Sequence, residues 1–284
     1  HGDPLPDFIA ENYSQISEGQ VHLYQTYTDV KGFVFENDDF AAPVVVNTSS
    51  FYIAKHEVSN KEYNEFLEEL RLNGRMEEYK AFCIDSSAWL NAVAYSSGFI
   101  KHYHRHQAYQ DHPVLNVPFD GAQAYCSWLS EKVNMATQGK PKAKFTLPSR
   151  EQWIRAARGD QHKRLYTWEG KENNQSNEHC NYSKKNEGGE SSNEHTKSEG
   201  RTVVVGTMNR LKSSVSVTKP VKSYAPNEFG LYNMNGNVAE MITEEGMALG
   251  GSWASNRNEV SLNSQMEYNK ANPFVGFRPV LILD

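Results

Sequence analysis

The stretch from Asn227 to Arg278 constrains the fold more than any other part of this chain. It reads NEFGLYNMNGNVAEM, then GGSWASNRNEV, and finally VGFR. Asn-Gly and Gly-Gly pairs punctuate it, and such pairs supply the left-handed backbone positions that tight turns need. Short strand-like runs are therefore expected from Val203 onward, closing with a terminal strand at Phe277 to Leu283.

A chain of 284 residues is long for one domain but within range, and one elaborated domain is expected. Residues 1 to 20 read as a polar lead-in and 21 to 284 as the domain, interrupted at about 169 to 201 by an insertion of Asn, Glu, Lys, Ser and Gly. Aromatic residues make up 12% while mean hydropathy is −0.70, so a core of Tyr, Phe and Trp must lie beneath a polar, loop-rich surface. The net charge of −6 offers no footprint for nucleic acid, which needs clustered Lys and Arg. No apolar run approaches the roughly 18 residues of a transmembrane segment. The chain begins at His1 rather than Met, which fits removal of an export signal or lipid-attachment segment upstream, and an exported protein, periplasmic or membrane-anchored as a lipoprotein, is expected. Cys83, Cys126 and Cys180 are odd in number and widely spaced, so neither a disulfide framework nor a zinc site is indicated.

Three helices announce themselves. Ser59 and Glu62 form a capping-box pattern ahead of Tyr63, Phe66, Leu67 and Leu70, which share one helical face, and Gly74 supplies a stop. Asp120 and Gln123 mark a second helix with Ala122, Tyr125, Cys126 and Leu129 on its apolar stripe, which makes Cys126 a core residue. Pro148 and Ser149 start a third, with Trp153, Ala156 and Ala157 inward and Gly159 at its end. Val21 to Tyr24 and Phe51 to Ile53 read as short strands.

Eight blocks then fall in a recognisable order: FYIAKHEVSNKEYNEF (51 to 66), HPVLNVPFDGAQAYCSWL (112 to 129), FTLPSREQWIRAARG (145 to 159), YTW (166 to 168), CNY (180 to 182), GLYNMNGNVAEM (230 to 241), GGSW (250 to 253) and GFR (276 to 278). Together they resemble the formylglycine-generating enzyme family, the sulfatase-modifying factor domain. The resemblance implies an α+β, C-type-lectin-like fold with little regular secondary structure and long ordered loops. The segment HQAYQDHPV is also similar to the matching block of gliding-motility and secretion-associated lipoproteins, a branch of the same superfamily that does not act on sulfatases.

The departures from the family agree with one another. Active members hold copper(I) with two cysteines just after the Gly-Gly-Ser-aromatic turn, and those positions here are Ser255 and Val260. A protonated hydroxyl and an alkyl group cannot replace two soft thiolates, so no copper is expected. The resemblance also implies disulfide partners where this chain has Pro279 and Ala157. Asn233, Gly236, Val238 and Glu240 match the family's structural calcium site, with a side-chain amide oxygen, two main-chain carbonyls and a carboxylate suited to a hard cation; the bland reading is an Asn-Gly turn with incidental acidity. A second calcium site would begin at Asn181 and the carbonyl of Tyr182, with no acid assignable. His102, His104 and His106 alternate, which in a strand would align three imidazoles for a transition metal, or else they sit in a surface loop.

The segment Ala254 to Val275 occupies the family's substrate-facing position. A groove lined by Ser252, Trp253, Ser255, Asn256, Arg257 and Asn258 could recognise a protein, peptide or glycan of the envelope, or these residues could simply solvate loops. The expected function is a catalytically inactive structural or binding module of the bacterial envelope. The alternatives are a divergent enzyme using the same groove and a diversified lectin-like protein whose Asn, Ser and Tyr enrichment before GFR resembles variable segments.

Overall fold

The structure, a computed structural model, describes residues 6–28, 34–37, 42–93, 96–168, 179–183 and 217–284. The polar insertion expected at about 169 to 201 therefore lies outside the described residues, apart from 179–183.

One four-stranded sheet sits between two apolar layers, and all its strands are short. Its order is β1-β6-β12-β7, with β1 at Tyr13–Ile16, β6 at Phe51–Ala54, β7 at Ala143–Thr146 and β12 at Val280–Leu283. All three pairings are antiparallel. Strand side chains alternate between faces, and the cores follow suit. Val280 joins Ile53 and Ile16 in one cluster, while Leu281 joins Ala54 and Tyr13 in the other.

The second of those clusters is built by two helices. The first is α2 (Asn60–Leu72), which begins at a complete capping box between Ser59 and Glu62, a motif contributing about 1 kcal/mol. The other is α5 (Phe119–Ala136). Tyr63, Phe66 and Leu70 from α2 meet Tyr125, Cys126 and Leu129 from α5 over Phe145, Phe277 and Leu281. Asp120 does not cap α5: the cap residue is Pro118, which has no side-chain bond to offer, and Asp120 lies in the first turn, where a carboxylate favours the helix dipole. Cys126 is buried and unpaired, as expected.

The opposite layer is α6 (Arg150–Arg158), whose capping box joins Ser149 to Gln152 and whose inner face buries Trp153, Ile154, Ala156 and Ala157. Gly159 ends it at φ 60°, and a side chain there would strike Glu228. A two-stranded ribbon, β2 (Gly19–Leu23) with β5 (Val44–Thr48), pairs antiparallel beside it. A mixed six-stranded sheet, β11-β8-β9-β10-β4-β3, completes the fold, with β3 at Gln25–Thr28, β4 at Val34–Asn37, β8 at Ala239–Met241, β9 at Met247–Leu249, β10 at Ser264–Glu267 and β11 at Val275–Gly276.

Two expectations need correction. From residue 6 the expected lead-in is structured: α1 (Asp7–Asn12) and β1 pack into the domain, with Ile9, Tyr13 and Ile16 buried. Three apolar residues spaced through polar ones carry little periodic signal; pairing with β6 makes Tyr13 and Ile16 core, and Ile9 joins Tyr13 in its cluster. Residues 102 to 106 are not a strand either. The helix α4 (Ser97–His102) runs into a turn, and His106 N bonds to His102 O as in a continuing helix.

Candidate functional site

The C-terminal loops converge on a buried ion pair. Parallel pairing of β8 with β11 sets Glu240 opposite Gly276, two residues before Arg278. The guanidinium grips the carboxylate in a fork, Nε to Oε2 at 2.6 Å and Nη2 to Oε1 at 2.5 Å, while Trp153 Nε1 donates to Oε2 at 2.7 Å. Both side chains are almost wholly buried, at 0% and 1% exposure. Arg278 spends its remaining donors on the carbonyls of Ala54 and Tyr232. The segment at Ala54 and the loop from Tyr232 to Glu240, far apart in sequence, thus meet on one guanidinium, whose rigid geometry suits such multiple bonding.

Asparagines extend this network. Glu57, fully buried, accepts from Asn237 Nδ2 at 2.8 Å and from Asn233 Nδ2 at 3.1 Å. Burial pushes its carboxyl up to about 7, against the opposing pull of Arg278, while nearby Glu240 reinforces the rise. Asn237 Oδ1 accepts from the Lys219 amide and Asn181 Nδ2. Asn235 Nδ2 donates to Val260 O at 2.6 Å, and its oxygen accepts from Thr167 N. Asn233 and Asn237 have φ of 55° and 64°, a region asparagine tolerates better than most side chains.

The expected calcium ligands divide under this geometry. Asn233 Oδ1 is buried without a hydrogen-bond partner and suits a hard cation. Glu240 does not: both its oxygens are committed to Arg278 and Trp153, and an ion on them would sit against a buried guanidinium. As one ligand set, Asn233, Gly236, Val238 and Glu240 do not fit calcium, because the charge of the acid is already matched within the protein. Asn181 lies against the same loop, its main-chain oxygen accepting from Asn237 N and its amide donating to Val217 O, and Tyr182 is buried beside it. Among the described residues no three of His, Cys, Asp or Glu gather as a metal site.

Positions 255 and 260 are packed shut. Gly251 is at φ 69°, and a Cβ there would lie 2.4 Å from Glu259 O and 2.8 Å from Val260 Cα. The Gly-Gly turn therefore exists to let this backbone press against residues 259 and 260. Ser255 Oγ accepts from Ser252 N at 3.1 Å, and Ser255 O accepts from Ser183 N. Val260 is fully buried with Trp168, Cys180 and Tyr182, and Tyr166 packs against them.

The groove expected at 252 to 258 is not formed as such. Trp253 is 2% exposed, donates its indole N–H to Pro273 O at 2.8 Å and packs with Trp89 and Phe274. Ser252 is also buried, and Asn256 and Glu259 bond to each other's backbone. An aromatic beside a Gly-Gly-Ser turn reads equally well as a platform or as a core residue, and here the neighbouring apolar cluster claims it. Half-buried Asn256, half-buried Arg257, resting 5.5 Å above the Tyr166 ring, and exposed Asn258 remain near solvent.

The open space lies elsewhere. A cavity of about 670 Å³ runs between α2 and the turn after α4, lined by Asn64, Glu65, Leu72, Arg105, His106 and Gln110 among others. His104 is buried at its base, its Nδ1 donating to Asn60 Oδ1 at 3.0 Å, and burial holds its pKa down at about 3. The three alternating histidines are thus split, with His104 inside and His102 and His106 exposed.

Comparison with known proteins places this geometry in context. Residues 10–282 match the family described as the sulfatase-modifying factor enzyme 1-like domain. The mouse formylglycine-generating enzyme is 27% identical over 134 residues, 47% of this chain and 27% of the mouse protein, so the chain spans only about a quarter of that relative. A protein named chaperone protein LppX, from Paenibacillus barcinonensis, is 25% identical over 251 residues, 83% of this chain and 81% of its own length. Among solved structures, PvdO from Pseudomonas aeruginosa superimposes with a TM-score of 0.60 at 18% identity, over 95% of this chain and 93% of PvdO. Variable protein 1 of Treponema denticola gives 0.55 at 18% identity, with 94% of each chain covered.

Proposed function

The chain belongs to the sulfatase-modifying factor enzyme 1-like family, and on that premise we propose that it is a member without oxidase activity, serving as a structural or protein-binding module of an exported assembly. One observation carries this reading: neither position that would hold copper offers a thiolate, and both are buried in satisfied packing, Ser255 on Ser252 and Val260 among Trp168, Cys180 and Tyr182. A soft monovalent copper ion selects sulfur over hydroxyl or alkyl groups, so the donor set does not fit it. No helix among the described residues is long and apolar enough to cross a membrane, which is compatible with an exported module. The relative named a chaperone protein, matched over four-fifths of both chains, supports a role exerted on another protein rather than on a cysteine to be oxidised.

Burial weighs against the diversified lectin-like alternative. Val260, Leu262, Ser264 and Gln265 are all inside, so free variation along 254 to 275 would cost packing at each of them. The recognition surface left at the rim is Arg257 with Asn258.

The test is chemical. A sulfatase-type cysteine peptide incubated with the protein, copper(I) and oxygen should show no conversion to the aldehyde by mass spectrometry. Turnover by the wild-type protein would end this reading.

A further inference from the structure

We propose that His102 and His106 form a site for one borderline divalent transition-metal ion, of the zinc or nickel class, on the exposed shoulder of the α4 turn. The pair emerges only in the fold: alternation along a strand would have aligned three imidazoles, whereas the helical turn removes His104 to the interior and brings the other two together. His106 N bonds to His102 O at 2.8 Å, so the two residues stand four apart on one helical turn, the spacing at which two imidazoles share a helix face and can hold one ion.

Ring geometry separates this pair from the other close imidazoles in the molecule. A metal–nitrogen bond of about 2.0–2.1 Å, extended by roughly 1.1 Å to the ring centre, puts each centroid about 3.2 Å from the ion, and a near-tetrahedral angle then spaces the centroids by about 5 to 5.5 Å. His102 and His106 are 5.7 Å apart with planes at 84°, within a few tenths of an ångström of that span. His22 and His162 are stacked at 3.8 Å with planes at 3°. Two rings so close and parallel would force a sharply acute angle at a shared ion, so that pair is a stacking contact and not a chelate.

The neighbouring charges in the chain, Lys101 and Arg105, are exposed cations. They supply no attraction for a hard cation such as calcium, and binding must rest on the covalent character of imidazole–metal bonds, which zinc and nickel provide. With two protein ligands, water fills the remaining positions, and the ion stays open to a further donor. His106 also lines the 670 Å³ cavity, so an ion there stands at the wall of that cavity. Neutral imidazole is the ligand, and acid displaces the ion.

Untagged protein titrated calorimetrically with Zn²⁺ alone, and separately with Ni²⁺ alone, tests the site. The expected result is an ion on the wild-type chain whose affinity falls about ten-fold or more in His102→Ala and equally in His106→Ala, with the melting temperature unchanged in His102→Ala, whose side chain is exposed, and lowered slightly in His106→Ala, which also removes the bond that Nδ1 accepts from Ala108 N. His22→Ala should leave the affinity as it was. Equal affinity in wild type and either ring variant, loss in His22→Ala instead, or no binding to the wild type would overturn the assignment.

Discussion

Two regions of this molecule gather polar side chains with similar density, and they have opposite fates. The loop from Asn233 to Glu240 turns its amides and carboxylate inward, where all but one of their polar atoms are bonded; the exception is Asn233 Oδ1. The face from Lys101 to Gln110 leaves nearly all of its charge and its amides outward around a cavity, burying only Tyr103 and His104. Polar composition alone does not distinguish a structural network from a binding surface. Burial and partner count do, because an unpaired polar group is costly inside and nearly free outside.

Glu240→Ala should produce the largest effect of this contrast. It leaves Arg278 buried without its counter-charge, which costs about 3–5 kcal/mol. The loss in thermal or denaturant unfolding should be the same with and without a calcium chelator. A variant as stable as wild type, or a wild type that chelation alone destabilises equally, would break the distinction by making the loop an ion site.

Trp253→Phe comes next. It removes the indole donor to Pro273 O in a fully packed place, and about 1–3 kcal/mol should be lost. A solvent-facing platform would lose almost nothing, so the size of the change decides whether the closed segment is core.

A smaller signature lies in pH. The Glu57 carboxyl is raised to about 7 in the fold against an ordinary value of 4.5, so the folded chain holds a proton that the unfolded chain has released between those limits. Stability from this group is therefore fully present below the lower value, declines as pH rises through the window, and is lost above about 7. Glu57→Gln should flatten that part of the profile, read as the difference in melting temperature between variant and wild type from pH 4.5 to 7.5. A constant difference across the window would show that Glu57 is already ionised at its lower end.

Arg257→Ala should change stability least, by less than about 1 kcal/mol, because a half-buried guanidinium at the rim over a ring contributes little. Its value lies in contrast with Trp253: if a partner is found, weakened capture by Arg257→Ala at unchanged melting temperature would place recognition on the rim.

Much of the scaffold was legible before any coordinates. The capping box at Ser59 depends on residues three apart and formed as expected, and the third helix starts at Ser149 and closes at Gly159 as expected, although its own box to Gln152 was not foreseen. The inward stripes of α2, α5 and α6 follow from a helical period that neighbours in sequence suffice to reveal. The absence of a thiolate pair at Ser255 and Val260 is equally a property of residue type. Less legible were α1 and β1, whose few apolar residues gain meaning only beside β6, and α3 (Met76–Phe82) with α4, which bury no residue of their own.

The sequence by itself determined the family, the helices that carry the core and the chemistry that positions 255 and 260 cannot perform, because each of these depends on local spacing or on the identity of one side chain. Tertiary structure alone decided that Glu240 answers Arg278, that Glu57 and Asn237 belong to the same network, that Trp253 is core, and that His102 meets His106 while His104 turns inward. Those outcomes depend on pairs separated by long stretches of chain, or on which face of a turn meets the interior. Only the closed fold sets the distance and burial that make a charge a partner and a ring a filler.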